Sequence, residues 1–211
     1  MAKTFTGGRD FSATVYDFLC SWSERQGLLE WRKRLVGDLT GEVVEIGAGT
    51  GKNFSHYRPE TRVLASDFDP VMLRRAEERA RGAEADISLF LADAMRLPLR
   101  DGSADTLVIG LMLCSVPKPR IVFEEIRRVL APGGRVRFVE HVRAPDGSFL
   151  AKVQDLVNPA WKRISGGCQA NRRTVTWMQE AGFEITELNE FRIGHTHVSP
   201  HVMGEARIGR P

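Results

Sequence analysis

The stretch VVEIGAGTGKN, Val43 to Asn53, constrains the fold more than any other part of the chain. An apolar run ends there in glycines spaced G-x-G-x-G, at Gly47, Gly49 and Gly51. Glycine adopts backbone conformations that other residues avoid and lets a backbone approach another group closely. The pattern predicts a buried strand followed by a tight turn whose backbone N–H groups face the anionic part of a ligand.

Strand-like and helical patterns alternate along the rest of the chain. Strands are predicted at Glu42–Ile46, Arg62–Ser66, Ile87–Leu91, Thr106–Gly110, Arg135–Glu140, Glu184–Ile193 and His201–Ile208. One helix is predicted at 71–81, capped by Asp69 and Pro70 and closed by Gly82, and a second at about 120–130, stopped by the APGG motif. Further helical segments are expected before Gly167 and near 173–181. This βαβα order predicts an α/β fold with an open, mostly parallel sheet covered on both faces.

Composition narrows the class of protein. A chain of 211 residues that is 42% hydrophobic has material for one substantial core. The net charge of +3 is too small to indicate a nucleic-acid-binding protein. We interpret the basic clusters 32–34 and 172–173 as solvated faces. No apolar run reaches the roughly 18 residues of a membrane span, and the first residues lack a signal peptide's apolar region. We expect a cytoplasmic protein without a membrane span, and peripheral membrane contact stays open.

The cysteines Cys20, Cys114 and Cys168 lie far apart in the sequence and lack C-x-x-C spacing. Neither a disulfide framework nor a structural zinc site is expected from them. Cys114 is interpreted as the apolar end of a buried strand and Cys168 as a loop residue that touches the acceptor or simply packs there.

Two aspartates stand where a ligand would bind in such a sheet, beyond the carboxyl ends of the strands. Asp67 ends the second strand, where a carboxylate can accept hydrogen bonds from both hydroxyls of a ribose. Asp93 follows the third strand, where it can accept a hydrogen bond from the exocyclic amine of an adenine. A dinucleotide fingerprint needs a glycine where Lys52 stands, and no triphosphate-binding motif is present. The acidic Glu45 is unsuited to a pyrophosphate and favours a positively charged ligand with an adenosine and an amino-acid end.

Four segments together resemble the class I S-adenosylmethionine-dependent methyltransferases. They are VVEIGAGTGKN, LASDFDPVML, LADAMRLPLRDGSADTLV and VLAPGGRVRFVEH, and they cover roughly 41–141. The resemblance implies a Rossmann-like sheet of seven strands, mostly parallel, with an N-terminal helical lid. It also implies S-adenosyl-L-methionine as the cofactor, S-adenosyl-L-homocysteine as its product, and a small-molecule methyl acceptor.

Within that superfamily the chain is similar to quinone C-methyltransferases and bacterial phospholipid N-methyltransferases, and more closely to animal alkyl thiol S-methyltransferases. The closer likeness lies in five segments: LMLCSV (Leu111–Val116), FVEHV (Phe138–Val142), NPAW (Asn158–Trp161), GCQANRRT (Gly167–Thr174) and PHVMG (Pro200–Gly204). Two features differ from what the resemblance to the animal proteins leads us to expect. Their hydrophobic N-terminus is absent, and Gly167 stands where an acidic residue is expected. The resemblance orders the acceptors as a thiol, then a phospholipid amine, then a quinone-like or natural-product ring.

The resemblance also assigns the cofactor-binding residues. They are Glu45, Gly47, Ala48, Gly49, Gly51, Asp67, Phe68, Met72, Asp93, Ala94, Leu111 and Tyr16. The glycine turn approaches the methionine portion, Asp67 holds the ribose, Asp93 and Ala94 frame the adenine, and Leu111 lines the sulfonium. Tyr16 belongs to an aromatic series that either forms a lid over the site or packs in the core.

His141 is the predicted catalytic base because it follows the fifth strand at the same rim as the cofactor. The alternative is a histidine that only orients a loop. His195, His197 and His201 have a spacing that resembles metal ligands, but no carboxylates accompany them, and we expect loop histidines near the acceptor and no metal.

The predicted organisation is a helical lid segment at 1–40 and a methyltransferase domain at 41–211, with an acceptor-pocket insertion at about 142–172. Two other classes stay open: an NAD-dependent oxidoreductase, which shares the sheet, and a non-catalytic module that only binds the cofactor. The oligomeric state is not predicted.

Overall fold

Residues 24–209 are described in a computed structural model of the chain, and seven strands of this part form one sheet. The strands are β1 (Gly41–Ile46), β2 (Thr61–Asp67), β3 (Asp86–Leu91), β4 (Ala104–Gly110), β5 (Leu130–His141), β6 (Phe183–Arg192) and β7 (Pro200–Ile208). Their order across the sheet is β3-β2-β1-β4-β5-β7-β6. All seven predicted strands are confirmed, with ends shifted by a few residues at most except in β5.

The first five strands run parallel, and β7 runs antiparallel to both β5 and β6. The chain steps outward from β1 to β2 and β3, then returns to the other side of β1 with β4 and β5. The strand order therefore reverses between β1 and β4, and the crevice at that reversal is where ligands bind in open α/β sheets.

Five helices flank the sheet in the described part of the chain. They are α1 (Leu29–Val36), α2 (Pro70–Arg81), α3 (Pro119–Val129), α4 (Phe149–Ile164) and α5 (Thr174–Glu180), and a π-helical turn, Glu24–Leu28, precedes α1. Asp69 caps α2 as predicted, because its Oδ1 accepts a hydrogen bond of 2.8 Å from the N–H of Val71, and Pro70 takes the first helical position.

Two hydrophobic cores lie on opposite faces of the sheet, as a doubly covered sheet requires. On one face α3 packs through Val122, Phe123 and Ile126 together with Met178 of α5. On the other face the buried residues come from α1 and α2, including Leu35, Val36 and Ala76. The prediction of helices on both faces is confirmed.

Some local predictions need correction. The APGG motif ends α3, but its residues belong to β5 and not to a separate turn. They interrupt the register of β5 with β4, because Ala104 pairs with Leu130 while Thr106 already pairs with Arg135. The glycine turn leads into a 3-10 turn, Phe54–His56. Most of the predicted lid, including Tyr16, lies outside the described residues.

None of the helices in the described part of the chain combines the length and the apolar character that crossing a membrane requires.

Gly204 of β7 offers a test of the antiparallel extension of the sheet. A Cβ on Gly204 would lie 2.4 Å from the carbonyl oxygen of Glu187 and 2.9 Å from the ring of Phe138. Gly204→Ala should therefore lower the free energy of unfolding by ~1–3 kcal/mol, measured by thermal or urea unfolding. Gly82→Ala is the matched control, since its nearest atom would be 3.8 Å away. Equal stability of the two variants would contradict the tight packing at Gly204.

Candidate functional site

The glycine turn after β1 adopts a conformation that only glycine tolerates well. Gly47, Gly49 and Gly51 have φ angles of 71°, 58° and 78°. A side chain would also collide with neighbours, because a Cβ on Gly47 would meet Met112 at 2.3 Å and one on Gly51 would meet the Phe54 ring at 2.5 Å. The predicted tight turn is confirmed at the point where the strand order reverses.

The N–H groups of this turn are used within the protein. Ala48 donates to the carbonyl oxygen of Ser66 at 2.9 Å, Gly49 to Oδ2 of Asp67 at 2.9 Å, and Gly51 to the carbonyl oxygen of Ala48 at 2.9 Å. The prediction that the turn offers its N–H groups to an anion is wrong for these three, because the turn folds back onto the end of β2. The arrangement does not suit a phosphate.

Glu45 anchors the same turn from inside. It is buried, and its two oxygens accept hydrogen bonds from Nδ2 of Asn53 at 2.7 Å and from the hydroxyl of Tyr57 at 2.8 Å. Burial raises the pKa of the Glu45 carboxyl to about 7, although both hydrogen bonds and the charge of Arg32 oppose the shift. The carboxylate therefore fixes the residues that follow the turn.

Arg32 connects α1 to this carboxylate. Its Nη1 donates to Oδ1 of Asn53 at 2.8 Å, and its Nε lies 3.3 Å from a carboxylate oxygen of Glu24, which also contacts Lys52 at 2.9 Å. Arg32 is 3% exposed, so the interpretation of its basic cluster as a solvated face is wrong for this residue. The N-terminal helix is tied by charge to the turn that shapes the site.

Asp67 closes β2 as the sequence predicts, with a buried carboxylate. Oδ2 accepts from Gly49, and Oδ1 accepts from the N–H of Asp69 at 2.9 Å. Burial raises its pKa, against the effect of these backbone hydrogen bonds. Each oxygen keeps a lone pair for a further donor such as a ribose hydroxyl.

Apolar side chains stand exposed beside Asp67. Phe68 is 75% exposed, and Leu91, the register partner of Asp67 on β3, is 59% exposed. Met72 on α2 is half-buried. Large apolar side chains exposed at the ligand edge of a sheet suit a flat apolar group such as a purine ring.

Asp93 follows β3 at the same edge and is exposed. Its Oδ1 accepts a hydrogen bond of 2.9 Å from the N–H of Met95. Its backbone pairs with that of Arg96 in an isolated antiparallel β-bridge. Ala94 beside it is half-buried. The structure brings the predicted adenine-binding residues to the edge that carries Asp67.

Leu111, directly after β4, is the one non-glycine residue of the described part with a positive φ, 56°. Its N–H donates to the carbonyl oxygen of Val139 at 2.8 Å. Strained conformations of this kind occur where surrounding structure enforces them, often at functional sites. The strain turns the chain sharply at the strand end, next to the glycine turn.

Glu140, near the end of β5, holds the loop that follows Leu111. Its carboxylate accepts the N–H groups of Met112 at 2.7 Å, Leu113 at 2.7 Å and Cys114 at 3.3 Å. Complete burial raises its pKa to about 7, while the charge of His141 and the N–H groups act in the opposite direction. The loop after β4 is thus shaped by a carboxylate of the neighbouring strand.

A buried group of two thiols and an imidazole lies beside this loop. Cys114, His141 and Cys168 place one sulfur or nitrogen atom each within 4.8 Å of one another. His141 Nε2 lies 3.1 Å from Cys168 Sγ, and the indole N–H of Trp161 donates to the same sulfur at 3.1 Å. We call these three residues the Cys–His–Cys cluster. The sequence placed His141 at this rim but did not join it to the cysteines, which are 54 positions apart.

Electrostatics inside the cluster favours one thiolate. The hydrogen bond from Cys114, then the charge of His141, hold the pKa of the Cys168 thiol well below its ordinary range, against burial. The pKa of the Cys114 thiol is raised by its hydrogen bond to Cys168 and by burial. Burial is the largest influence and lowers the pKa of His141, but the charge of Cys168, the hydrogen bond to Cys168 and the charge of Glu140 together outweigh it, so the net shift is upward. Nδ1 of His141 has no hydrogen-bond partner among the described residues.

The three C-terminal histidines do not form a common site. His195 is exposed and His197 half-buried in the loop between β6 and β7, whereas His201 is buried on β7 opposite His141. His201 Nδ1 lies 2.9 Å from the carbonyl oxygen of Ser199, and its ring is perpendicular to that of His141 with centroids 5.8 Å apart. Burial, then the charge of His141, lowers the pKa of His201 to about 4.

Arg172 is a functional candidate whose environment its basic cluster does not predict. The interpretation of this cluster as a solvated face is wrong for Arg172, which is 4% exposed and donates to the carbonyl oxygens of Leu113 and, at 2.7 Å, Val116. Burial lowers the pKa of its guanidinium, while the charges of Cys114, Glu140 and Cys168 oppose that shift. Only its position in GCQANRRT pointed to it.

The five segments that carry the closer family likeness meet at the Cys–His–Cys cluster. Each of them supplies one side chain to the cluster or its immediate contacts: Cys114, His141, Trp161, Cys168 and His201. Segments spread over about half of the chain thus build one locality at the ends of β4 and β5.

Comparison with known proteins gives concordant results. The family model described as a methyltransferase domain matches residues 44–138. Thiol S-methyltransferase TMT1B of Homo sapiens is 36% identical over 191 residues, 87% of this chain and 78% of that protein. Phosphatidylethanolamine N-methyltransferase of Cereibacter sphaeroides is 35% identical over 53% of this chain and 56% of its own. The crystal structure of a putative methyltransferase from Bacillus halodurans C-125 superposes with a TM-score of 0.68 at 18% identity, covering 82% of this chain and 96% of that one.

The raised pKa of Glu45 predicts a pH-dependent stability. Because the folded pKa of about 7 exceeds the ordinary glutamate value of 4.5, the folded state binds the proton more tightly. This stabilisation is complete below the unfolded pKa and is lost as pH rises through about 7, a change of about 3 kcal/mol at most. Glu45→Gln does not titrate, so its melting temperature should gain on that of the wild type between about pH 5 and 8.

The matched control for this measurement is Glu42→Gln, which changes an exposed glutamate of the same strand. Its melting temperature should follow the wild type at every pH. A constant difference between Glu45→Gln and the wild type across the range would mean that Glu45 stays ionised in the folded protein.

Proposed function

We infer that this chain, which belongs to the methyltransferase-domain family and is an S-adenosylmethionine-dependent methyltransferase, transfers the methyl group to a small thiol. The observation that carries the choice of a thiol is the 36% identity to a thiol S-methyltransferase over 87% of this chain. The free thiols of Cys114 and Cys168 favour a reducing compartment, and we place the reaction in the cytoplasm.

We propose that the cofactor lies along the carboxyl edge of β3, β2, β1 and β4. The glycine turn would meet its methionine portion, Asp67 would accept the ribose hydroxyls, and the adenine would lie against Phe68 near Asp93 and Ala94. The internal use of the turn's N–H groups supports this arrangement, because this cofactor carries no phosphate. Leu111 would then stand beside the sulfonium.

The reaction is an in-line displacement. The acceptor sulfur attacks the methyl carbon, the carbon–sulfur bond of the sulfonium breaks, and its electron pair stays on the leaving sulfur, which becomes a neutral thioether. Well-oriented reactants gain on the order of 7–11 kcal/mol, so holding the two sulfur atoms and the carbon in line supplies most of the acceleration. The turns at Gly47 and Leu111 would contribute to this positioning, since both have positive φ angles and Gly47 packs closely against Met112.

We propose that His141 meets the acceptor from the end of β5. The segment 142–172, which includes α4, would complete the acceptor pocket around it. A thiol with a pKa near 8.5 is already partly ionised at neutral pH and needs little help to lose its proton. A buried imidazole between two thiols is therefore sufficient for a thiol acceptor.

A second candidate acceptor, a phospholipid amine, is favoured by the outer face of α4. Phe149, Leu156 and Ile164 are 83%, 81% and 73% exposed, and their spacing places them on one side of the helix. An exposed apolar stripe with neighbouring basic residues such as Lys152 and Arg163 suits a membrane surface.

Asp67→Ala tests the cofactor site. Loss of a charge-assisted hydrogen bond should weaken binding of S-adenosylmethionine by roughly 1.5–3 kcal/mol, about ten- to a hundredfold in Kd, measured by calorimetry. Asp86→Ala, an exposed aspartate at the opposite end of β3, should leave the affinity unchanged. Equal affinities of Asp67→Ala and the wild type would remove Asp67 from the site.

Methyl-labelled S-adenosylmethionine tests the acceptor. The protein is incubated separately with a small alkyl thiol, phosphatidylethanolamine vesicles or a reduced quinone precursor, and a melting curve with the cofactor is recorded in parallel. We expect label on the thiol alone and a reduced rate in Asp67→Ala. Cofactor at 100 times its Kd should add about 2.7 kcal/mol of stability.

Label on the vesicles instead, lost in Leu156→Glu, would replace the thiol by the phospholipid amine. A melting shift without label on any acceptor would leave the cofactor in place and reject all three substrates. Stabilisation by NAD without S-adenosylmethionine would contradict the proposed cofactor site.

A further inference from the structure

The Cys–His–Cys cluster contains sulfur and nitrogen atoms that could bind a ligand in addition to the contacts they make within the protein. Its three members come from three parts of the fold: Cys114 from the loop after β4, His141 from the end of β5 and Cys168 from the loop between α4 and α5. All three are buried, with 2%, 8% and 7% of their surface exposed. The thiols are not joined in a disulfide, and one ring nitrogen of His141 lacks a hydrogen-bond partner among the described residues.

We propose that Cys114, His141 and Cys168 bind a thiophilic divalent cation of the zinc type and leave its fourth coordination position to the acceptor thiol. Two thiolates and one imidazole are ligands that such ions prefer, and three protein ligands with one open position are typical of catalytic zinc sites. The assignment of the fourth position to the acceptor thiol rests on the proposed function, whereas the metal site itself does not.

The distances fit such an ion. Bond lengths of about 2.3 Å to sulfur and about 2.0–2.1 Å to nitrogen give tetrahedral edges of roughly 3.6 Å between sulfur and nitrogen and roughly 3.8 Å between two sulfurs. The cluster holds its three atoms within 4.8 Å of one another, and His141 Nε2 lies 3.1 Å from Cys168 Sγ. Shifts of an ångström or less bring the three atoms to the required separations.

The surroundings support the ligands. Trp161 donates its indole N–H to Cys168 Sγ, and the N–H of Cys114 is held by Glu140. The first of these hydrogen bonds reaches the sulfur and stabilises a thiolate, and the second fixes the backbone that carries Cys114. A divalent cation would balance the two thiolates, and the buried Arg172 carries the charge opposite to that of Glu140. With its fourth position open, the metal-bound site would therefore be close to neutral, which favours its burial.

The position of the cluster relates it to methyl transfer. Cys114 Sγ lies 3.3 Å from the carbonyl oxygen of Leu111, the residue proposed to stand beside the sulfonium. An acceptor thiol bound to the ion would lose its proton to solvent and present a thiolate at this point. Its sulfur would bond to the methyl carbon while the sulfonium bond breaks, as above. The methylated product is a neutral thioether, a weaker ligand that dissociates.

Cobalt(II) is the probe for the test, because thiolate-to-cobalt charge transfer and tetrahedral ligand-field bands report sulfur ligation directly. The full chain, reduced and freed of metal, is titrated with cobalt(II) chloride and then with zinc chloride. We expect both bands to saturate at one equivalent and to disappear when zinc displaces cobalt. Adding a small alkyl thiol should then change the ligand-field bands.

Variants define the ligands. Cys114→Ser, Cys168→Ser and His141→Ala should each weaken cobalt binding at least tenfold, while His195→Ala, an exposed histidine, should bind as the wild type does. Trp161→Phe should keep one equivalent and shift the sulfur charge-transfer band, a result that separates a sulfur contact from a loss of folding. Circular dichroism checks each variant for folding.

Absence of thiolate bands in the wild type, or bands that persist in the Cys114→Ser/Cys168→Ser double variant, would overturn the metal site. Bands that an added thiol leaves unchanged would overturn the open fourth position. Methylation of the thiol at full rate by the metal-free protein would reject the role of the ion while the proposed function stands. An intact cobalt spectrum without thiol methylation would reject the proposed function and leave the metal site in place.

Discussion

Buried carboxylates at the carboxyl edge of the sheet determine the shape of the site. Glu45 on β1, Asp67 on β2 and Glu140 on β5 all lie within the protein, where an unsatisfied charge is costly. Each is satisfied by donors from a loop that leaves the sheet: the segment after the glycine turn, the turn itself, and the loop after β4. The need to solvate these three groups internally therefore fixes the three loops that surround the crevice.

The same constraint bears on the kind of ligand that this edge of the sheet suits. The N–H group of Gly49, which would face a phosphate in a dinucleotide-binding turn, is bound to Asp67. In the proposed arrangement, a ligand at this edge would meet carboxylate oxygens of Asp67 and the exposed side chains of Phe68 and Leu91 instead. That combination of hydrogen-bond acceptors and apolar surface suits a ribose and a purine without phosphates.

The sequence predicted those features that depend on neighbours along the chain. Strand ends, the Asp69 cap and the edge positions of Asp67, Asp93 and His141 follow from local periodicity and from the rule that parallel strands end at one edge. Features set by distant partners were missed. The sequence predicts Arg32 and Arg172 as surface residues because a charged cluster is usually solvated. Only the fold shows their partners, which are Glu24 and the amide oxygen of Asn53 for Arg32 and backbone carbonyl oxygens for Arg172.

The two buried cysteines are a second feature that depends on partners distant in the sequence. Separated by 54 positions and without a spacing motif, Cys114 and Cys168 carry no signal of a common role, and the fold unites them through the neighbouring ends of β4 and β5 and the loop after α4. A methyltransferase for an ordinary alcohol or carbon acceptor would need a strong base at this place. The chain supplies soft ligands and an imidazole instead, a set that stabilises a thiolate and does little for an alkoxide. The chemistry of the cluster thus supports the sulfur acceptor that we propose.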